Sequence, residues 1–258
     1  MMNKRFSFFM LLCILLISGA CKTQYLVQQE KTEGKVIILD SINVPKPDSL
    51  TLETIKPYKA QLDSQMNEIL AYSEISMYKD LPEGLLNNFI SDLVFIKGNE
   101  YLKKSNNLSA SICLLNHGGL RSDLPKGAIT MRNVYELMPF ENELVALEVK
   151  GSNITKLLKY LVQKGGMPET GIRMSIKDNA AANVTIQGVP FDESKNYLII
   201  TSDYLAKGGD DMSFLLNPVN YYPLGLKLRQ AIIDYLKEQT IKGNTVTSQL
   251  DKRIYYEK

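Results

Sequence analysis

Asn116-His117-Gly118-Gly119-Leu120-Arg121 is the stretch around which this sequence is organised. Two later stretches, Pro139-Phe140-Glu141-Asn142 and Tyr204-Leu205-Ala206-Lys207-Gly208-Gly209-Asp210, also combine turn residues with polar and aromatic side chains. The first follows the apolar run 111–115 and the last follows the apolar run 197–201, and both runs are typical of strands. Loops at the ends of buried strands often carry recognition chemistry. We therefore predict that the three loops form one ligand pocket.

The size and composition of the chain predict an ordinary folded protein. It has 258 residues, of which 45% are hydrophobic and 22% are charged, so one sizeable core is possible. Helical patterns mixed with strands at hairpin spacing favour an α+β fold, a single domain of mixed and antiparallel sheets flanked by helices. We expect this domain at residues 35–258, preceded by a polar tether at residues 21–34.

Residues 1–20 have the features of a secretory signal. Lys4 and Arg5 form its basic start, and the apolar run Phe8–Ile17 is shorter than the roughly 20 residues of a membrane-spanning helix. Small residues then lead into Cys21, as in the lipobox of bacterial lipoproteins, although the usual leucine three places earlier is absent. We predict that Cys21 is lipidated and that the exported protein is anchored in the cell envelope. We expect it in the outer membrane, facing the periplasm or the cell surface.

The charge balance argues against a nucleic acid polymer as partner. The predicted signal contains two of the 30 basic residues and no acidic residue, which leaves 28 of each in the mature chain. A chain without net charge does not capture nucleic acid or anionic lipid through bulk electrostatics. Any anion must therefore be bound by a local site.

Cysteine use predicts a fold without disulfides. Cys13 lies in the predicted signal and Cys21 is the lipidation candidate, so Cys113 remains alone. Its place in an apolar run indicates a small buried hydrophobic residue.

Apolar periodicity predicts the main elements. A helix from the turn region at 44–49 to about Ala71 would place Leu52, Ile55, Tyr58 and Leu62 on one face. Further helices are expected at 85–94, with an extension to 104, at 152–164 with an N-cap from Gly151-Ser152 and a stop at Gly165-Gly166, and at 225–238. Strands are expected at 35–40, 110–115, 144–150, 171–176, 183–187, 197–202 and 252–256.

The first loop has two possible roles. Gly118 and Gly119 allow the backbone to approach a ligand closely, and Arg121 offers a planar fork of donors for a carboxylate or phosphate. Asn116 could brace the loop or bind a polar edge. Equally, Asn116 could cap the turn while Arg121 pairs with a surface acid.

The other two loops add aromatic platforms. Phe140 and Tyr204 taken singly would be assigned to the core, but each lies beside a polar or glycine-rich turn. Two rings facing one slot could stack on a purine or pyrimidine. Asp210, after Gly208-Gly209, could accept hydrogen bonds from ribose hydroxyls or could simply cap the turn.

Catalytic chemistry has no clear signal in the sequence. His117 is the one histidine, and no partner for it as a general base is evident. No cluster spaced for a metal pair and no nucleophile or phosphate-loop motif occurs. We predict that this chain binds no metal or other cofactor and supplies no catalytic residue.

The motifs together resemble the C-terminal domain of the 5′-nucleotidase / UDP-sugar hydrolase family. The three loops, with Gly127-Ala128-Ile129-Thr130 between the first two, occur in the order and spacing of that family. Asn87-Asn88-Phe89-Ile90-Ser91-Asp92 is similar to the helix that precedes them in the family. The resemblance covers about residues 45–240.

The resemblance implies a nucleotide-binding role. By motif position Phe140 and Tyr204, the latter replacing a usual phenylalanine, would sandwich the base. Asn142 would contact the base edge and Asp210 the ribose. Asn116 and Arg121 would face the ribose and phosphate, and Gly119, Gly208 and Gly209 belong to the same motifs.

Two departures from the family shape the functional hypotheses. The resemblance does not extend to the metallophosphatase domain that carries the metal pair. In addition, family members often have an arginine shortly before the helix that carries Asn87–Asp92. The segment at that place, Lys79-Asp80-Leu81-Pro82-Glu83-Gly84, has no arginine, which predicts weaker binding of phosphate. We first expect the recognition half of a split nucleotidase, working with a separate metallophosphatase chain. A stand-alone nucleoside- or nucleotide-binding lipoprotein and a structural protein that keeps only the loop architecture are the alternatives.

Overall fold

The computed structural model describes Gly34, Val36 and residues 48–257. The predicted signal, Cys21 and most of the predicted strand at 35–40 lie outside the described residues. The residues from Glu53 onward form one compact unit. No helix in the described part of the chain is long and apolar enough to cross a membrane.

The described elements are helices interspersed among single strands and one run of five consecutive strands. The helices are α1 (Ser49–Met66), α2 (Leu85–Asn106), α3 (Met131–Leu137), α4 (Gly151–Lys164), α5 (Asp203–Ala206) and α6 (Leu228–Ile241). The strands are β1 (Ile69–Ser73), β2 (Ile112–Leu114), β3 (Gly127–Thr130), β4 (Glu143–Lys150), β5 (Glu169–Thr170), β6 (Ile172–Lys177), β7 (Ala180–Ile186), β8 (Val189–Pro190), β9 (Asn196–Ser202), β10 (Asn220–Lys227) and β11 (Ile254–Tyr256). Single 3₁₀ turns occur at His117–Gly119, Gly209–Asp211 and Ser213–Leu215.

A five-stranded mixed sheet in the order β10-β4-β9-β2-β5 forms the centre of the domain. Only β2 and β9 pair in parallel within it, and the other neighbours are antiparallel. A four-stranded sheet has the order β11-β6-β7-β8, and β1 pairs with β3. The predicted α+β fold, with mixed and antiparallel sheets flanked by helices, is confirmed.

Two hydrophobic cores cover the two faces of the central sheet. Successive side chains of β9 point into different cores, with Ile200 in the first core and Ile199 in the second. Helices α2 and α6 fill the first core, while α4 and the four-stranded sheet fill the second. Cys113 is fully buried in the first core, as predicted, and burial raises the pKa of its thiol well above the ordinary value.

Several element boundaries differ from the prediction. Helix α1 ends at Met66, not near Ala71, because residues 69–73 pair with β3 as a strand. None of its residues is buried, so the predicted apolar face does not pack into a core. Helix α4 begins directly at Gly151 after Lys150, with no side-chain cap, and the predicted cap at Ser152 is therefore wrong. Its predicted stop is confirmed, since Gly165 has the left-handed conformation of a C-cap.

Gly98 lies inside helix α2, at the point where the helix packs closely on the central sheet. A Cβ at position 98 would lie 2.9 Å from the Ile200 side chain. Glycine in a helix interior costs about 1 kcal/mol relative to alanine. Here the smallest residue lets the helix approach β9, and the helix extends unbroken to Asn106.

Arg253 attaches the C-terminal strand to the rest of the domain. Its guanidinium is almost fully buried and donates to Asp92 Oδ1 at 2.9 Å and to the Glu169 carbonyl at 2.8 Å. Asp251 Oδ1 accepts from its Nε at 3.0 Å. Burial raises the pKa of the neighbouring Glu169 carboxyl to about 8, so that group is mostly protonated at neutral pH. These contacts help to hold strand β11 parallel to β6. In the sequence, β11 follows well after the residues of the predicted pocket.

Candidate functional site

The topology of the central sheet brings the three predicted loops to one edge. Strands β2 and β9 are parallel, so the loops that follow them leave the sheet at the same edge. Strand β4 is antiparallel to β9, with Leu144 opposite Ser202, so the loop that precedes β4 reaches that edge too. Segments widely separated in sequence therefore meet.

One cavity of about 350 Å³ lies between these loops. Small-molecule pockets in proteins measure about 300–1,000 Å³, so its size suits a small ligand. It is lined by Asn116, Gly118, Arg121, Phe140, Asn142, Tyr204 and Asp210. Six of these seven are residues that the sequence singled out for ligand binding; their contact with a nucleotide stays a prediction.

The Tyr204 ring is supported from one side by Gly209. A Cβ at position 209 would lie 2.5 Å from two atoms of that ring, so only glycine allows the contact. The ring remains 41% exposed. One face is thus covered by backbone, and ring area remains available to a ligand.

Asp210 has an unusual backbone that side-chain hydrogen bonds hold in place. Its φ of 51° and that of Asp211, 63°, lie in the left-handed region. Tyr204 donates its hydroxyl to Asp210 Oδ1 at 2.7 Å and accepts from the Asp210 N–H at 3.2 Å. Tyr160 donates to the Asp210 carbonyl at 2.7 Å. The bond to the carboxylate raises the pKa of the Tyr204 phenol, because it favours the protonated form.

Arg121 and Phe140 interact directly. The guanidinium carbon lies 5.3 Å from the ring centroid, within the range of a cation–π contact. Phe140 is 37% exposed, and no salt bridge of Arg121 occurs among the residues that the structure describes. The alternative in which Arg121 pairs with a surface acid is therefore not observed.

The first loop is braced from outside the cavity. Lys79 donates its ammonium to the Leu120 carbonyl at 2.7 Å. Burial, and then the nearby Lys79 cation, lower the pKa of His117 below its ordinary value, so His117 is neutral at pH 7. Its Nε2 is buried without a hydrogen-bond partner in the described structure. The nearby Asp80 charge acts in the opposite direction on this pKa, but no carboxylate is hydrogen-bonded to His117 within residues 48–257.

Asp203 connects the second and third loops. Its Oδ1 accepts from the Glu143 N–H, at the start of β4, at 3.1 Å, and its Oδ2 accepts from Lys207 at 2.6 Å. Partial burial would raise the pKa of Asp203, but these two donors lower it below the ordinary value. Tyr204 follows directly, so this carboxylate sets the position of the ring relative to β4.

Three of the predicted glycines support the site without lining the cavity. Gly119 packs against Asn116, whose Oδ1 would lie 2.6 Å from a Cβ there. Gly208 adopts the left-handed conformation that starts the turn before Asp210, and Gly209 lies under Tyr204.

A second cavity of about 300 Å³ adjoins the first and shares Gly118 and Asp210 with it. Tyr160 and His117 are among its lining residues. Sequence reasoning missed Tyr160, because its position on the apolar face of a helix gave it no polar signal. No group of three or more His, Cys, Asp or Glu side chains suited to a metal ion occurs in residues 48–257 or at Gly34 and Val36.

The packing of Gly209 under Tyr204 yields a stability test. We expect Gly209→Ala to lower the free energy of unfolding by about 1–3 kcal/mol, because the new Cβ collides with the ring. In a Tyr204→Ala background the same substitution should cost less than about 0.5 kcal/mol. Urea unfolding of the four proteins in this double-mutant cycle measures the coupling. Equal costs in the two backgrounds would show that the ring does not rest on Gly209.

Comparison with known proteins agrees with this architecture. The profile described as "5′-nucleotidase, C-terminal domain" matches residues 66–216. The trifunctional nucleotide phosphoesterase protein YfkN of Bacillus subtilis is 25% identical over 249 residues, which cover 88% of this chain and 16% of that protein. Protein UshA of Yersinia enterocolitica is 27% identical over 136 residues, covering 51% of this chain and 25% of that protein. The chain thus spans less than half the length of these relatives.

Solved structures show the same fold. A 5′-nucleotidase precursor from Thermus thermophilus superposes with a TM-score of 0.67 at 25% identity, covering 80% of this chain and 43% of that one. The NAD nucleotidase of Haemophilus influenzae has a TM-score of 0.61 at 20% identity, over 81% of this chain and 41% of that one. The profile match covers more than half of the sequence and includes all three loops of the cavity. The chain therefore belongs to the 5′-nucleotidase C-terminal domain family.

Proposed function

We propose that the cavity binds the nucleoside part of a nucleotide and that this domain is the recognition half of a split 5′-nucleotidase-type phosphohydrolase. The observation that carries the proposal is the meeting of two partly exposed rings, a carboxylate and a guanidinium in one cavity of about 350 Å³. Each group matches one part of a nucleotide.

The aromatic and amide groups would bind the base. Phe140 and Tyr204 each have one side occupied by the protein, by Arg121 and Gly209 respectively. The remaining ring surface can stack on a purine or pyrimidine, which contributes about 1–3 kcal/mol for each base. Asn142 lines the same cavity and offers a donor and an acceptor to the edge of the base.

The polar groups would bind the sugar and the phosphate side. The Asp210 carboxylate accepts hydrogen bonds, as ribose hydroxyls require, and Arg121 offers donors to an anion. Asn116 lines the same cavity. Lys79 is engaged with the Leu120 carbonyl, so it adds little direct contact to a phosphate. We therefore assign nucleoside recognition to this chain and the divalent metal pair to a separate metallophosphatase.

Binding of nucleosides is the direct test of the pocket. We expect the full chain, purified in mild detergent, to bind adenosine and AMP saturably in calorimetric titrations. Replacing both rings, Phe140→Ala/Tyr204→Ala, should weaken binding at least about tenfold because it removes both stacking platforms. The exposed rings of Tyr72 and Tyr256 provide a matched control, and Tyr72→Ala/Tyr256→Ala should leave the affinity unchanged. A folded wild type that binds no nucleoside or nucleotide would overturn the proposal.

Stimulation of a phosphatase tests the split arrangement. We expect no phosphate release from AMP by this chain alone with Mn²⁺ or Zn²⁺. Adding a secreted metallophosphatase from the same organism that lacks such a domain should give hydrolysis that the Phe140→Ala/Tyr204→Ala variant fails to support. Binding without stimulation would instead favour a stand-alone nucleoside-binding surface lipoprotein.

We propose further that the chain is lipid-anchored in the cell envelope through Cys21. The basic start, the apolar run and the small residues before Cys21 support this proposal. We expect cells that produce the full chain to incorporate labelled palmitate into it, and Cys21→Ser to abolish the label. Equal labelling of both proteins would exclude Cys21 as the modified residue.

A further inference from the structure

A further cavity, of about 320 Å³, lies at the opposite end of the central sheet from the cavity between the three loops, which we call the three-loop cavity. Glu148 and Asn196 line it near the end of β4 and at the start of β9, whereas the three loops meet where β9 ends. Asn196 and Ser202 are the two ends of one extended strand, about 20 Å apart. The two cavities are therefore separate places on the molecule.

A row of three polar side chains crosses the sheet beside this cavity. Glu148 on β4 lies opposite Asn220 on β10 and opposite Leu198 on β9. Its Oε1 accepts from Asn196 Nδ2 at 2.8 Å, and its Oε2 accepts from Asn220 Nδ2. The amides of Asn220 and then of Asn196 lower the pKa of the Glu148 carboxyl below its ordinary value, so this group is ionised at neutral pH.

The row keeps hydrogen-bonding capacity for a ligand. Asn196 and Asn220 each use one N–H for Glu148, and within residues 48–257 no protein group pairs with the second N–H or the carbonyl oxygen of either amide. Each carboxylate oxygen of Glu148 can accept a second hydrogen bond. A ligand atom placed between an amide and the carboxylate therefore has to accept from one and donate to the other.

This requirement indicates the chemical class of the ligand. A hydroxyl oxygen both accepts and donates, whereas an ammonium group only donates and an ionised carboxylate only accepts. A cation would leave the amide donors without an acceptor, and the charge of Glu148 would repel an anion. Neighbouring hydroxyls on an uncharged sugar ring satisfy the amides and the carboxylate together.

The rest of the lining suits the less polar face of a sugar. The partly buried Tyr222 ring packs against the first core and lines the cavity together with Leu198. Aromatic and aliphatic side chains of this kind pack against the C–H groups of a pyranose ring. Ser109 and Ser111 add two further hydroxyls to the lining. The volume lies at the lower end of the range of about 300–1,000 Å³ for small-molecule pockets, which suits one or two sugar rings.

We propose that this cavity binds a neutral saccharide, with sugar hydroxyls bound by Glu148, Asn196 and Asn220 and one face of the ring packed on Tyr222. The site goes beyond the proposed function and does not depend on it. The saccharide is either free in solution or the terminal unit of a polysaccharide, because both present the same hydroxyls to the row.

The test uses the full chain in a detergent without a sugar headgroup, since a glycosidic detergent would compete for the site. Saturation-transfer NMR titrations are recorded with the methyl glycosides of glucose, galactose, mannose and N-acetylglucosamine, and with ethylamine and acetate as charged probes. We expect saturable binding of at least one glycoside, and no binding of ethylamine or acetate that competes with it. A folded wild type that binds none of the four glycosides, or binds them no better than the charged probes, would overturn the proposal.

Polymers distinguish the two sources of the saccharide. Dextran and mannan present glucose and mannose at their chain ends, and methyl α-glucoside and methyl α-mannoside are the matched free sugars. Binding to the polymer that is tighter for each chain end than binding to the matched glycoside would support a polysaccharide as the ligand. Equal affinities would support a free sugar.

Variants of the polar row assign the binding to this cavity. Glu148→Gln keeps the size of the side chain but removes its charge, so the affinity for the bound glycoside should fall at least about tenfold. Asn196→Ala/Asn220→Ala, which alters two exposed residues, should give a similar loss. Glu53→Gln, at an exposed glutamate on α1, is the matched control and should bind as wild type does. Urea unfolding of each variant separates a loss of binding from a loss of structure.

Two further results would contradict the assignment. Phe140→Ala/Tyr204→Ala should retain the glycoside, and its loss there would place the sugar in the three-loop cavity. Unchanged affinity in folded Glu148→Gln and folded Asn196→Ala/Asn220→Ala would show that the row only connects the strands. If Glu148→Gln does not fold, the exposed asparagine pair decides the question alone.

Discussion

The pocket depends on the pairing of β9 with two neighbours that run in opposite directions. The loop after β9 and the loop after its parallel partner β2 leave the sheet at the same edge, and the antiparallel partner β4 begins at that edge. The core fixes this register, because a one-residue slip would exchange every side chain between the two faces of the sheet. Ile199 and Ile200 belong to opposite cores, so such a slip would remove both from their packing. The relative position of the three loops is therefore a consequence of core packing.

Hydrogen bonds and packing within the loops constrain the cavity further, in addition to the strand register that the cores fix. Asp203 connects the start of β4 to the segment after β9 through the Glu143 N–H. Gly209 and the Tyr160 hydroxyl then hold Tyr204 and Asp210 in place. Strained backbone at Asp210 is maintained by these contacts before a ligand binds, which reduces the ordering that binding would require. Under the proposed function the cavity would thus be preorganised for its ligand, although its rings remain partly exposed.

The sequence predicted the elements with strong periodicity and the composition of the cavity, but not the contacts between distant segments. Phe140 and Tyr204 could be predicted to line the cavity because each lies beside a polar turn next to a strand-like run. Tyr160 was not, because its hydroxyl meets the Asp210 carbonyl only after folding brings residues 50 positions apart together. Helix α1 was extended too far because apolar residues of β1 continue its pattern beyond Met66. Local sequence patterns indicate helix or strand propensity and the apolar face of an element. Cross-strand pairing and the packing of a residue against the Tyr204 ring depend on the whole fold.

The charges of the cavity bear on how nucleotide recognition would be divided between two chains. Arg121 and Asp210 are oppositely charged and line the same cavity, so their fields largely offset one another at a distance. The mature chain predicted from the sequence also has no net charge to attract a phosphate from afar. Stacking and short-range hydrogen bonds would then provide most of the affinity, and these act on the base and the sugar. A site of this kind gains little from the phosphate itself. Under the proposed function, binding of the phosphate would therefore fall mainly to the metal ions of the partner, and each chain would recognise the part of the nucleotide that its own chemistry suits.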